Sequence, residues 1–239
     1  MSIEMLERAA RELAPFLDEL AFVGGATVVL WITDPAAPDP RPTKDVDVVV
    51  EVASRLGWND FQDRLRARGL REDSSSPVIC RWVAGRGIDE LLVDVMPADA
   101  AIFGFENRWQ RPGLDNAQTV ELPSGQAIRA ITPPYLVATK LEAWNGRGRG
   151  DHLASHDLED VILLVDGREE IVAEAAATPD DLCSYLSAEL GTLLDQARFH
   201  DKLEGTIVGL GGAGSGSGSG DESRVDDVLL PRLYELAGR

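Results

Sequence analysis

Two aspartates, Asp45 and Asp47, stand one residue apart in the segment DVDVVV, whose other residues are all valine. A β-branched run of this kind predicts a strand over residues 45–52, and the strand period of two puts both carboxylates on one face. Adjacent carboxylates repel, and among buried valines they are costly unless a cation neutralises them. The pair therefore predicts a site for a hard divalent cation such as Mg²⁺, which takes carboxylate and phosphate oxygens as ligands.

A third carboxylate, Asp94, lies in the segment ELLVDVMP, again as an acid inside an otherwise apolar strand. Three carboxylates fit one or two Mg²⁺ ions. In a two-metal arrangement one ion activates an attacking hydroxyl and the other stabilises a leaving pyrophosphate. Asp94 is therefore the candidate third ligand beside Asp45 and Asp47.

The glycine pair Gly24-Gly25 separates a short apolar run from ATVVLWI, which we interpret as a buried helix. Backbone N–H groups at a helix N-terminus bind phosphate. Metal-binding carboxylates together with a phosphate-binding turn predict a site that binds a nucleoside triphosphate through its metal-complexed phosphates.

The elements that position these residues follow from periodicity and turn signals. We expect an amphipathic helix over residues 2–20, a proline-rich loop over 34–42 and a helix over 58–69. Strands are expected at 77–83 and 90–95, and a hairpin at 119–122 and 126–131. After Thr132 the pattern is helical, and the alternating Gly-Ser segment is typical of a flexible linker.

The predicted fold class is α+β: a mixed β-sheet flanked by helices, followed by a C-terminal helical region. The predicted domains are a catalytic α/β domain (1–131), the helical region (132–208), the linker (209–220) and a C-terminal helix (221–239).

Composition restricts the partners. The formal net charge is −18, whereas proteins that coat nucleic acid usually carry a basic excess, so a nucleic-acid substrate would need a local basic patch. The two cysteines are far apart and predict reduced thiols. No apolar stretch approaches the roughly 20 residues of a membrane-spanning helix, and we expect a cytoplasmic protein with no membrane partner.

The spaced motifs Gly24-Gly25, Asp45-Val-Asp47 and Asp94 resemble the signature of the minimal nucleotidyltransferases, or polymerase-β-like superfamily. The segment PPYLVATKLEAWNGRGRGDHLASHDLEDVILLVDGR is similar to the AbiEii/AbiGii-type nucleotidyltransferase toxins. The resemblance covers roughly residues 20–170. It implies a nucleotidyltransferase fold and transfer of a nucleoside monophosphate from a nucleoside triphosphate, with Mg²⁺ as the cofactor.

The resemblance also implies roles for individual residues. It assigns Gly24 and Gly25 to triphosphate binding, Asp45 and Asp47 to metal binding, and Asp94 to metal binding and hydroxyl activation. It assigns Lys140 to triphosphate binding, and Asp157 is the acid that this toxin group retains on its C-terminal helices. We further expect Thr43 and Lys44, just before the first aspartate, to bind the nucleotide. The chain departs from the pattern at Ala26, where the superfamily often has serine, and in its long proline-rich loop.

The acceptor is open at this point. The resemblance favours RNA, at the 3′ end of tRNA, and a toxin or phage-defence enzyme with a cognate antitoxin; Arg147 and Arg149 in NGRGRG are candidate RNA contacts. The acidic net charge would suit a small cationic acceptor of the aminoglycoside kind better than tRNA. A protein hydroxyl is a further alternative. The third alternative to an RNA-modifying enzyme is a catalytically silent binding module or antitoxin, although a silent copy has no reason to keep three mutually repelling acids.

Overall fold

The structure is a computed structural model that describes residues 2–52, 54–99, 102, 107–147, 150–211 and 223–239. The chain divides into two compact units. The first comprises the residues up to Leu30 together with Pro42–Thr132, and the second comprises Trp31–Arg41 together with the chain from Pro133 onwards.

The first unit is built on a seven-stranded mixed sheet. Its strands are β1 (Leu20–Val23), β2 (Asp45–Val50), β3 (Arg71–Glu72), β4 (Arg81–Ala84), β5 (Leu91–Pro97), β6 (Gln118–Glu121) and β7 (Ala127–Ala130), in the order β3-β4-β5-β2-β1-β7-β6. The pairs β2–β5 and β1–β7 are parallel, and the remaining pairs are antiparallel. The valines of β2 from Val48 to Val50 are fully buried, which explains why this strand is central.

Helices flank this sheet: α1 (Ser2–Glu12), α2 (Arg55–Arg68) and α3 (Gln110–Asp115), with 3₁₀ turns at Ala14–Glu19, Gly25–Leu30 and Gly87–Asp89. Local signals fix the ends of α2. Ser54 caps its N-terminus by accepting a hydrogen bond from the Gly57 N–H, and Gly69 ends it in the left-handed conformation.

The second unit is helical. It contains α4 (Pro133–Gly146), α5 (His156–Gly167), α6 (Ile171–Ala176), α7 (Asp180–Leu194), α8 (Ala197–Gly211), a π-helical turn (Val225–Leu229) and α9 (Leu230–Leu236). Ser155 caps α5, and most side chains of α4 and α5 are buried, so these two helices form the centre of the unit.

A buried ion-pair group joins distant parts of this unit, and we name it the helix clamp: Arg224 with Asp34 and Asp166. Nε of Arg224 lies 2.8 Å from both carboxylate oxygens of Asp166, and Nη2 donates to Asp34 Oδ2 at 2.7 Å. The Asp166 side chain has no exposed surface, and burial raises its pKa against the opposing effect of Arg224. Nη1 of Arg232 donates to the backbone carbonyl of Asp166. The clamp ties the segment 31–41 to the helices.

The predicted fold class is confirmed: a mixed sheet flanked by helices precedes a helical region. Several elements differ from prediction. The predicted helix over residues 2–20 ends at Glu12 and is followed by a 3₁₀ turn over Ala14–Glu19. The segment after the glycines is a six-residue 3₁₀ turn, and the expected strand 77–83 begins only at Arg81. Residues 31–41, predicted within the first domain, pack in the helical unit because the N–H groups of Thr33 and Asp34 both donate to the Gly167 carbonyl.

Helix α8 extends to Gly211, and residues 212–220 of the predicted linker lie outside the described residues. Among the helices that the structure describes, none combines the length and apolar character needed to cross a bilayer.

Candidate functional site

The three predicted metal-binding aspartates come together on one face of the sheet. Asp47 on β2 is the register partner of Asp94 on the parallel strand β5, so their side chains project side by side. Asp45 lies two residues before Asp47 and therefore on the same face. Asp94 is nearly buried, whereas about a third of the Asp45 side chain is exposed. The cluster thus lies where the buried sheet meets solvent.

Gly24 follows β1, the antiparallel neighbour of β2, and closes the cluster on one side. Its φ of 79° is left-handed, and a Cβ at this position would lie 2.0 Å from Asp47 Oδ2. Thr27 holds the turn because its Oγ1 donates to the Gly24 carbonyl at 2.8 Å. Only glycine therefore allows the backbone to approach the Asp47 carboxylate this closely.

An arginine that sequence reasoning did not select lies inside the cluster. Arg81 on β4 is the register partner of Asp94, and its Nε and Nη2 donate to Asp94 Oδ1 and Oδ2, both at 2.8 Å. Nη2 also donates to Asp45 Oδ2. These contacts raise the pKa of Arg81, so its charge is permanent. We name Arg81, Asp45 and Asp94 the sheet clamp.

The neighbouring thiol reports the electrostatics of this face. Burial, together with the negative charges of Asp94 and Asp47, raises the pKa of Cys80 to about 12. The carboxylates therefore create a negative potential that the Arg81 charge does not cancel at this position.

The donor types of the cluster fit Mg²⁺, since the ion takes oxygen ligands and binds through one or two carboxylates. Within the part of the chain that the structure describes, no group of three or more His, Cys, Asp or Glu side chains could hold a metal ion. The Arg81 guanidinium engages carboxylate oxygens of both Asp45 and Asp94.

Lys140 and Asp157, the predicted residues of the helical region, meet in the second unit. Lys140 Nζ on α4 lies 2.5 Å from Asp160 Oδ2 and 3.5 Å from Asp157 Oδ1 on α5. Arg41 Nη2 joins from the proline-rich segment at 3.2 Å from Asp160. Arg147, the predicted RNA contact, donates to Asp157. These five residues, of which Asp157 and Asp160 are buried, form a cationic group in which three basic side chains meet two carboxylates.

The remaining predicted residues are three nucleotide contacts and one RNA contact. Gly25 is buried at the start of the 3₁₀ turn, and Lys44 is exposed. Thr43 is half-buried with its Oγ1 3.9 Å from Met5 Sδ. Arg149 lies outside the described residues.

Sequence reasoning missed Arg81, Asp160 and Arg41. The signal for Arg81 was of the kind that identified Asp94, namely a charge within an apolar run, here VICRWVA. Asp160 directly precedes the apolar run VILLV, whereas nothing in the local sequence distinguishes Arg41 from other loop arginines.

Comparison with known proteins gives a likeness in structure alone. No family model matches the chain, and no curated protein matches it in sequence. The crystal structure of an antigenic nucleotidyltransferase-like protein from Paracoccidioides brasiliensis is similar to it, with a TM-score of 0.51 and 18% sequence identity. The alignment covers 85% of this chain and 92% of that chain. The chain therefore has a nucleotidyltransferase-like fold.

Proposed function

We propose that the protein is a nucleotidyltransferase that moves a nucleoside monophosphate from a nucleoside triphosphate to an acceptor hydroxyl. The observation that carries the proposal is the position of Asp45, Asp47 and Asp94 on adjacent parallel strands of a nucleotidyltransferase-like sheet. The close approach of the Gly24 backbone to Asp47 supports it, because the turn after β1 and the carboxylates of β2 then face the same site.

In the proposed reaction the oxygen of the acceptor hydroxyl forms a bond to the α-phosphorus. The bond from that phosphorus to the oxygen bridging the α- and β-phosphates breaks, and pyrophosphate leaves. Asp94 accepts the hydroxyl proton, and Asp45 and Asp47 orient the reacting groups. Asp45, Asp47 and Asp94 would hold Mg²⁺, as one or two ions, and the bound metal would supply positive charge that polarises the phosphates.

The cationic group of the helical unit contributes to the proposal as an anion site. Lys140 is the proposed triphosphate ligand, and Asp157 is the proposed acid that holds it, consistent with the 3.5 Å between them. Ammonium and guanidinium groups bind phosphate oxygens, so the basic side chains of this group are the proposed phosphate contacts. Gly25, Thr43 and Lys44 are further proposed nucleotide contacts.

RNA is the acceptor that we propose first, at the 3′ end of tRNA, with a role as a toxin controlled by an antitoxin. This part of the proposal rests on the similarity of residues 133–168 to the AbiEii/AbiGii-type toxins, and Arg147 and Arg149 are its proposed RNA contacts. Arg147 is largely exposed even though it pairs with Asp157, so its guanidinium remains accessible to a phosphate.

A small cationic acceptor of the aminoglycoside kind is the second candidate. The formal net charge of −18 favours it, because an acidic protein attracts cations and repels RNA over distances of a Debye length.

One experiment separates these acceptors. The protein is incubated with each α-³²P-labelled nucleoside triphosphate and Mg²⁺, together with total tRNA, an aminoglycoside panel or no acceptor, and Asp45→Ala is assayed in parallel. We expect label in tRNA with the wild type only. Label in the aminoglycosides would support the second candidate, label on the protein itself would identify a protein hydroxyl, and label nowhere would overturn the proposed activity.

A further inference from the structure

Arg81 uses the same oxygen atoms that a divalent cation would need. Its Nε and Nη2 engage both oxygens of Asp94, and Nη2 also reaches Asp45. The Arg81 side chain is 17% exposed, and that of Asp94 is more buried still, at 9%. A partly buried bidentate ion pair of this kind has a better-defined geometry than a mobile surface pair.

We infer that Arg81 is a positioning residue that controls cation entry: it holds the aspartates as a tethered counter-ion and releases them when metal-bound nucleotide arrives. This inference rests on the proposed function, since it takes the aspartates to be the metal ligands. It explains how the chain keeps Asp45 and Asp94 close together on a mostly buried sheet face.

The Arg81 guanidinium and a divalent cation compete for the same carboxylate oxygens because of their size and charge. Mg²⁺ requires oxygens at about 2.0–2.1 Å in octahedral geometry, whereas the guanidinium holds the carboxylates apart at hydrogen-bond distance. Two cations also repel within a mostly buried site. Arg81 must therefore leave Asp45 and Asp94 before a metal binds, and the apparent metal affinity is reduced by the fraction of molecules in which it has left.

Nucleotide supplies a new partner for the displaced side chain. A guanidinium binds phosphate in the same bidentate manner as carboxylate, so the triphosphate offers Arg81 an exchange of one anion for another. Metal and nucleotide then assist each other, and by thermodynamic reciprocity each raises the affinity of the other by the same factor. The wild type is thus expected to bind metal weakly alone and tightly with nucleotide.

The test measures Mn²⁺ binding by electron paramagnetic resonance, without any turnover. Wild type, Arg81→Gln and Arg81→Lys are titrated with Mn²⁺, each with and without a non-hydrolysable α,β-methylene nucleoside triphosphate. Arg66→Gln is the matched control, because Arg66 also pairs with two acids, Asp63 and Glu72, and its loss changes the net charge equally, but it lies on the surface.

Without nucleotide, we expect Arg81→Gln to bind Mn²⁺ at least about tenfold more tightly than wild type and Arg66→Gln to match wild type. The nucleotide should strengthen Mn²⁺ binding more in wild type than in Arg81→Gln. Equal or weaker Mn²⁺ binding by Arg81→Gln would overturn the inference.

If Arg81→Gln does not fold, Arg81→Lys decides the matter. A lysine keeps the positive charge but cannot donate two parallel hydrogen bonds as the guanidinium does. The Arg81→Lys protein should therefore bind Mn²⁺ more tightly than wild type, and unchanged Mn²⁺ affinity would contradict the inference. The result is independent of the transfer assay. Label transfer with unchanged Mn²⁺ affinity in the variants would sink only the role of Arg81, whereas tighter Mn²⁺ binding without transfer to any acceptor would sink only the proposed activity.

Discussion

The sheet clamp and the helix clamp have the same local design in different surroundings. In each, one arginine engages both oxygens of a buried aspartate and one oxygen of a more exposed aspartate. The helix clamp has a second guanidinium beside it, that of Arg232, whose charge favours the ionised form of both aspartates, although burial still raises the pKa of Asp166. Beside the sheet clamp lies a third acid, Asp47, in register with Asp94.

The difference separates a structural ion pair from a site. In the helical unit, two carboxylates meet two guanidinium groups and the charges balance, as a permanent joint between distant segments requires. On the sheet, Arg81 pairs with Asp45 and Asp94, and burial together with the negative charges of Asp94 and Asp47 raises the pKa of the Cys80 thiol. The sheet clamp is the one that we propose exchanges its cation.

The largest expected effect is on transfer activity, and it distinguishes Asp47, the acid beside the sheet clamp, from Asp34, an acid of the helix clamp. Asp47→Asn removes a carboxylate from the proposed centre and should reduce nucleotide transfer by about 100- to 10,000-fold. Asp34→Asn in the helix clamp should leave the rate per folded molecule unchanged. Transfer kinetics with both variants, after a check of folding by circular dichroism, measure the contrast. Similar rates for the two variants would remove the functional distinction between the clamps.

The second effect concerns stability. Arg224→Gln leaves buried Asp166 without its bidentate partner and should cost about 3–5 kcal/mol of unfolding free energy. Arg81→Gln should also destabilise the protein, but Mg²⁺ should restore much of that loss by replacing the guanidinium. Urea denaturation with and without Mg²⁺ tests this. A Mg²⁺ effect of the same size in both variants would contradict the comparison.

The third effect uses two glycines. An alanine at Gly24 incurs left-handed backbone strain of about 1–2 kcal/mol and also displaces the Asp47 carboxylate. At Gly69, φ is 99° and a Cβ would meet no atom within 4 Å, so Gly69→Ala reports the strain alone. Gly24→Ala should therefore lose more stability and also lose transfer activity. Equal losses in stability and activity would show that the contact with Asp47 is unimportant.

The smallest effect is on thiol chemistry. The pKa of Cys80 is raised from 9.0 to about 12, so its thiolate is scarce near pH 8, whereas Cys183 is exposed. A disulfide reagent at pH 8 should modify Cys183 quickly and Cys80 only after denaturation.

Because the folded state holds the Cys80 proton more tightly, the stability from this group is fully present below about pH 9 and is lost as the pH rises towards 12. Rapid modification of Cys80 in folded Cys183→Ser, or of both thiols in the folded wild type, would contradict the burial and charge that we describe.

The features of the fold and site that depend on local sequence pattern could be predicted from the sequence. Alternating acids among valines predicted β2 and the shared face of Asp45 and Asp47, and a lone acid in an apolar run predicted that Asp94 lies in a strand. The hairpin of β6 and β7 and the helical second half followed in the same way from turns and composition.

The parts that the sequence did not yield depend on pairing over long distances. Asp34 and Arg224 are 190 positions apart, and no local period connects them. Arg81 was overlooked for a different reason: its effect depends on the register of β4 with β5, which puts it opposite Asp94. Register is set by tertiary packing, so a pattern that identifies a strand does not show which residues face each other.

The most direct test of the central claim compares two positions of the label. Purified protein is incubated with Mg²⁺, tRNA and either α-³²P- or γ-³²P-labelled nucleoside triphosphate, and the RNA is separated from free nucleotide. We expect incorporation from the α-labelled substrate alone, with the γ-label released as pyrophosphate, and no incorporation by Asp47→Asn. Incorporation of the γ-label, or equal incorporation by wild type and Asp47→Asn, would contradict nucleotidyl transfer at the aspartates of the sheet.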